Sequence, residues 1–171
     1  MGLQDWTIAV VAVGVLAALV ELFLIHRRLR GDHDWNRRVT ALRFGFGDDP
    51  TVTAIRVRLN QYLRVGGEDP REIGLDEIRE VAEEQYPEAE AEITLLLNKL
   101  ECMCVAIENR IADEGTCRDM VGGITTLYYR TFLPFIEEKR RYFRRDSIYQ
   151  HLEHYAHKWS TNPLPKRRKT G

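Results

Sequence analysis

Three histidines, His151, His154 and His157, recur at every third position near the end of this 171-residue chain. Their spacing is the pattern in the sequence that most resembles ligand chemistry. Imidazoles at i and i+3 on a helix can occupy two positions around a transition-metal ion. Each further step of three rotates the side chain by about 60°, so three ligands to one ion would be strained. The row is not HExxH, the residue before it is Gln150, and Glu153 is expected to point elsewhere. The favoured reading is a set of solvent-facing histidines that protonate near pH 6. A metal-dependent enzyme using His151 and His154 stays open as the weaker alternative; no metal and no cofactor is expected.

Other reactive types are placed less suggestively. Cys102 and Cys104 stand two apart, which on a helix separates them by about 200° and rules out a local chelate. With Cys117 they make an odd count in apolar surroundings, pointing to buried, reduced thiols rather than a disulfide framework. The serines are Ser147 and Ser160 alone, neither in a GxSxG turn. Gly122-Gly123 lacks the Gly-Lys-Thr of a phosphate loop. Catalysis by a residue triad or a nucleotide loop has no setting here, and a non-enzymatic role is favoured over an enzymatic one.

The elements that carry these residues begin with an apolar run, Thr7 to Ile25 (TIAVVAVGVLAALVELFLI), in which Glu21 is the single charged residue. Nineteen helical residues reach about 28 Å, close to the thickness of a bilayer's hydrocarbon. No Lys or Arg precedes the run, Arg27, Arg28, Arg30, Arg37 and Arg38 follow it, and no small-residue cleavage site is present. That order predicts a retained single-pass helix in the cell inner membrane, N-terminus outside and the C-terminal domain cytoplasmic. Gly14, Ala17, Ala18 and Glu21 share one face of it. Gly14-xxx-Ala18 permits close helix–helix approach. Glu21 reads equally as a functional intramembrane carboxylate or as a group reaching interfacial water or Arg28.

The remainder is charged and helical. Asp34 to Phe44 spaces Trp35, Val39 and Leu42 as a short separate helix. Asp49-Pro50 is a helix start, and Val52, Ile55, Leu59 and Leu63 mark its buried face, although Ile55 to Leu59 also alternates as a strand would. Val65-Gly66-Gly67 ends it. Residues 68–92 carry eleven acids and two bases around the stripe Leu75, Ile78, Val81 and Ala82. Glu88 to Ala112 places Ile93, Leu96, Leu97, Leu100, Met103, Cys104, Ile107 and Ile111 in one arc. A capping box is expected at Thr116-Cys117-Arg118-Asp119, then a helix from Cys117 to Arg144 that Pro134 kinks or splits. Asp146-Ser147 is expected to cap the last helix. The predicted fold is all-α: one N-terminal transmembrane helix with its basic flank (1–30), a cytoplasmic bundle (31–160) and a basic flexible tail (161–171).

LLNKLECMCVAIENRIADEG, GGITTLYYRTFLPFIEEKRR and YQHLEHYAHKW, in that order after a membrane helix, resemble the bacterial domain-of-unknown-function family forty-seven-sixty. Leu96-Leu97-Asn98 with Glu101 fits the family's first pattern, and Pro134-Phe135-Ile136 with Arg140 fits the second. Tyr128 or Tyr129 stands where the family has tryptophan. The resemblance implies a membrane-anchored helical fold and brings no activity with it. Glu101 lies at the edge of its helix's apolar arc, where a carboxylate needs a partner. An inter-helix ion pair with Arg140 is favoured there over a catalytic acid.

Charge is the last handle. Lys139, Arg140, Arg141, Arg144 and Arg145 form a basic band, Lys166 to Lys169 add KRRK, and both oppose the acidic 68–92 stretch. The bands pair within the domain, pair between subunits, or meet anionic lipid; nucleic acid ranks last, since no aromatic residue is interleaved in the tail. The expected partners are therefore the bilayer and either a second copy or an unidentified protein. The chain reads as a scaffold or regulator, or alternatively as a membrane-active effector of a stress or phage-defence response.

Overall fold

A computed structural model describes residues 3–45, 49–66 and 71–161, with side chains from residue 14 onward except Ala17. Every regular element among them is a helix: α1 (Leu3–Leu42), α2 (Pro50–Leu63), α3 (Leu75–Glu84), α4 (Ala89–Glu108), α5 (Glu114–Thr131), α6 (Leu133–Phe143) and α7 (Gln150–Thr161). The chain divides into two units, 1–37 and 38–171. Residues 46–48, 67–70 and 162–171 lie outside the described residues, and with them all of the expected 161–171 tail except Thr161, which ends α7.

The first unit is helix throughout its described length, and α1 runs on through Gly31 and Asp32 to Leu42. The separate helix expected from Asp34 is thus the end of a longer one. A single internal glycine costs about 1 kcal/mol, less than interrupting a helix and nucleating another.

The second unit is built on α4, which packs against α2, α3, α5 and α7. Its arc is buried as the periodicity requires: Ile93, Leu96, Leu97, Leu100, Met103, Cys104 and Ile107. Ile111 is the exception. It lies beyond the helix end and is exposed, while Ala112 turns inward. Arg110, at φ 57°, makes that reversal.

The start of α2 follows its sequence closely. Asp49 Oδ1 accepts from the backbone N–H of Thr51 (3.0 Å) and Val52 (3.2 Å), and Val52, Ile55, Leu59 and Leu63 are buried. The strand alternative for 55–59 is not realised. The helix ends through Arg64 in the left-handed region, its N–H donating to the Asn60 carbonyl. The long helix expected from Cys117 divides at Phe132, and Pro134 falls in the first turn of α6, where its missing N–H costs nothing. The cap of α5 is Asp113 rather than Thr116: Asp113 Oδ1 accepts from Thr116 N (2.9 Å) and from its hydroxyl (2.7 Å). Gly122 earns its place by proximity, since a Cβ there would lie 3.2 Å from Arg118 Cγ and 3.5 Å from Trp159 Cε3 of α7.

Candidate functional site

Several polar side chains of the bundle converge on α7. Glu101, on α4, accepts hydrogen bonds from the backbone N–H of Leu152 (2.7 Å) and His151 (3.3 Å) and lies 2.8 Å from His151 Nδ1. These are first-turn amides with no partner inside their own helix, and the carboxylate also faces the positive end of the helix dipole. A residue on a neighbouring helix therefore caps α7. Asp146 and Ser147, the expected cap, lie upstream of the helix and are exposed. Tyr149, at φ 58°, delivers the chain into α7; it is buried, and its hydroxyl donates to Asn98 Oδ1 at 3.0 Å. Burial and the neighbouring Glu101 charge push that phenol up to about 12.

The rest of α7 is clasped in the same manner. Arg140 pairs with Glu153 Oε2 at 2.7 Å and donates through Nε to the Ile148 carbonyl at 2.9 Å. Burial raises the Glu153 carboxyl, and hydrogen bonds from Arg140 and Tyr129 outweigh that, leaving it below the usual range. Tyr155 donates to Glu108 at 3.1 Å. Glu114, the first residue of α5, receives Lys158 Nζ (2.8 Å) and the Trp159 indole N–H (3.2 Å). It too is raised by burial and lowered further by these partners. Glu101 and Arg140 consequently do not pair with each other. Each is committed to α7 from a different side.

The histidine row separates. The His151 ring meets Glu101, the His154 ring packs edge-on against Tyr155, and the His157 ring packs edge-on against Tyr129, with Nε2 4.0 Å from Glu153. Contrary to expectation, carboxylates do stand beside the row: Glu101 reaches it from α4, and Glu153 lies one turn before His157 on α7 itself. Among the described residues no group of three or more His, Cys, Asp or Glu is placed to hold a metal ion. Cys104 and Cys117 are buried, and burial raises both thiols, Cys117 to about 12; Cys102 is exposed.

The basic band is split by its partners. Lys139 Nζ lies 2.6 Å from Glu90 and over the Phe135 ring, so the acidic and basic bands do meet within the unit at that point. A second acidic residue, Glu92, holds Arg58 and the Tyr86 hydroxyl. Arg141, Arg144 and Arg145 are exposed.

On α1, Gly14, Ala18 and Glu21 are exposed, and the side chain of Ala17 lies outside the described residues. Val15, Leu16, Leu19, Val20, Leu22, Phe23, Leu24 and Ile25 are each more than half exposed. Among the described residues no helix is long and apolar enough to cross a membrane. Of the expected span, residues 7–13 and 17 lack described side chains.

The family model described as "Domain of unknown function (DUF4760)" matches residues 8–159, nearly the whole chain. The chain belongs to the DUF4760 family. No curated protein and no solved structure gives a significant match. The match begins inside α1 and ends at Trp159, so it takes in this DUF4760 domain's bundle from α2 to α7 together with most of α1.

Two features of the DUF4760 domain escaped the sequence reading. One is the role of Glu101 as a cap, which has no local signature because its partners lie 50 and 51 positions away. The other is an open cavity of about 410 Å³ beside the α5–α7 packing, lined by Arg118, Gly122, Thr126 and Arg130 along one helix face, with Gly123, Trp159 and Ser160. Its signal was available, since 118, 122, 126 and 130 recur at the four-residue spacing that aligns side chains on a helix.

Proposed function

We propose that this DUF4760 protein is a single-pass, membrane-anchored scaffold or regulator, with α1 in the inner membrane and the bundle offered on the cytoplasmic side to a second copy or a protein partner. The observation that carries the reading is the apolar surface of α1. At 100° per residue, Val15 to Ile25 distribute their exposed side chains around the helix circumference. Leaving side chains of this size in water forgoes roughly 1.5–3 kcal/mol each. A helix that is apolar all round belongs in a protein core or in lipid. The arginines that follow it supply the orientation, N-terminus outside.

Self-association is supported by the exposed Gly14 and Ala18 on one face. The test is the oligomeric state of the full chain in mild detergent. A dimer or larger assembly is expected, weakened by Gly14→Leu with Ala18→Leu; a monomer without any co-purifying protein contradicts the scaffold reading.

A second reading, a membrane-active effector, is favoured by the exposure of Glu21 within the apolar rod, where an ionisable group is costly unless used. Overexpression should then depolarise cells and Glu21→Leu should abolish the effect. Equal toxicity of the variant removes this reading.

A further inference from the structure

We infer that the turn leaving α6 is a docking surface for an anionic lipid bilayer. Residues 141–147, RYFRRDS, are exposed without interruption, the longest such run in the second unit among the described residues. Two aromatic rings lie in it: Tyr142 is 78% and Phe143 59% exposed, and they stack edge-on at 4.9 Å. Water is a poor environment for that pair, and neither ring is buried in the core. Arginines flank them on both sides. The guanidinium groups of Arg141 and Arg144 have no partner among the described residues, and Arg145 Nε donates to Ser147 Oγ at 3.1 Å. Lys139 and Arg140, by contrast, are consumed by Glu90 and Glu153.

The run carries a net charge of +2, with Asp146 its single acid; Glu137 and Glu138 lie a turn back on α6. Exposed aromatic rings set between unpaired arginines match the two layers of a bilayer interface. The rings lie at the headgroup level, and guanidinium groups bind phosphate bidentately. An acidic protein surface would satisfy the arginines but not the rings. The left-handed Arg144, at φ 50°, ends α6 immediately after Phe143, so the rings stand at the helix terminus.

This inference rests on the membrane reading above, because a tether raises the local concentration of the bilayer and lets a patch of three arginines suffice. The experiment uses the full chain with Cys102→Ser and a nitroxide on Ser147→Cys, assembled into nanodiscs of phosphatidylcholine alone or with phosphatidylglycerol. Accessibility to a water-soluble nickel chelate is read by electron paramagnetic resonance. Expected is protection in the anionic discs and exposure in the neutral ones. Arg141→Glu with Arg144→Glu and Arg145→Glu should lower the docked-to-free ratio at least about tenfold. Phe143→Ser, which leaves every arginine in place, should lower it as well. A chain that inserts in both disc types but keeps the label aqueous overturns the docking surface and leaves the anchor standing. Protection in both types that ignores the charge reversal overturns it in favour of contact with another copy. A chain that does not assemble with the discs at all overturns the anchor, and the docking surface with it.

Discussion

The described part of α1 and the α4–α7 packing are opposite solutions to the same problem. In α7, Leu152, Tyr155 and Trp159 are buried, and its terminal amides and several of its polar side chains find partners on α4, α5 or α6. In α1 the apolar side chains from Val15 to Ile25 face outward and Glu21 among them is exposed. In the first, the apolar face of α7 and the amides of its first turn are met by neighbouring helices of the same unit. In the second, the apolar side chains from Val15 to Ile25 are left exposed.

The contrast is broken most strongly inside the bundle. Phe135→Ala, at a fully buried position on α6, should cost about 3–5 kcal/mol of bundle stability in urea unfolding, with membrane association unchanged. Removing the tertiary cap comes next. Glu101→Ala takes away the acceptor of two backbone amides and the partner of His151, and should cost about 1–3 kcal/mol. Hydrogen-exchange protection should be lost first at the start of α7. Loss of protection spread evenly over all helices would show that Glu101 does not act as a cap.

Acid should loosen the same packing. Glu114 and Glu153 are both held below the ordinary glutamate value of 4.5 in the folded protein. A depressed carboxyl contributes stability above its unfolded value and loses it as pH falls through its folded one. Stability from these two residues is therefore complete above about pH 4.5 and declines below it. Glu114→Gln should flatten that decline in acid unfolding curves. The smallest effect sharpens the comparison from the other side. Leu22→Ala on α1 should leave the stability of the bundle within about 0.5 kcal/mol, because Leu22 is exposed.

What could be read from the residues divides by distance along the chain. The Asp49-Pro50 start, the arc of α4 and the division near Pro134 depend on neighbours within a turn or two, and the structure realises each. The edge position of Glu101, with Arg140 in the motif that carries the family resemblance, predicts a pair between them, yet Glu101 goes to the amides of α7 and Arg140 to Glu153. Charge and amphipathicity show that a buried-edge carboxylate needs a partner. They do not show that a helix terminus 50 residues away offers a better one than a guanidinium. The family resemblance, carried by Leu96-Leu97-Asn98 and Pro134-Phe135-Ile136, agrees with the matched family and with the all-α bundle, in which those residues lie on α4 and α6.

The central claim, that α1 makes up for its exposed apolar surface with lipid, is tested most directly by alkaline carbonate extraction of membranes followed by flotation. The account predicts that the intact chain stays with the floated vesicles while a chain lacking residues 1–30 does not. Release of the intact chain into the carbonate supernatant would contradict it.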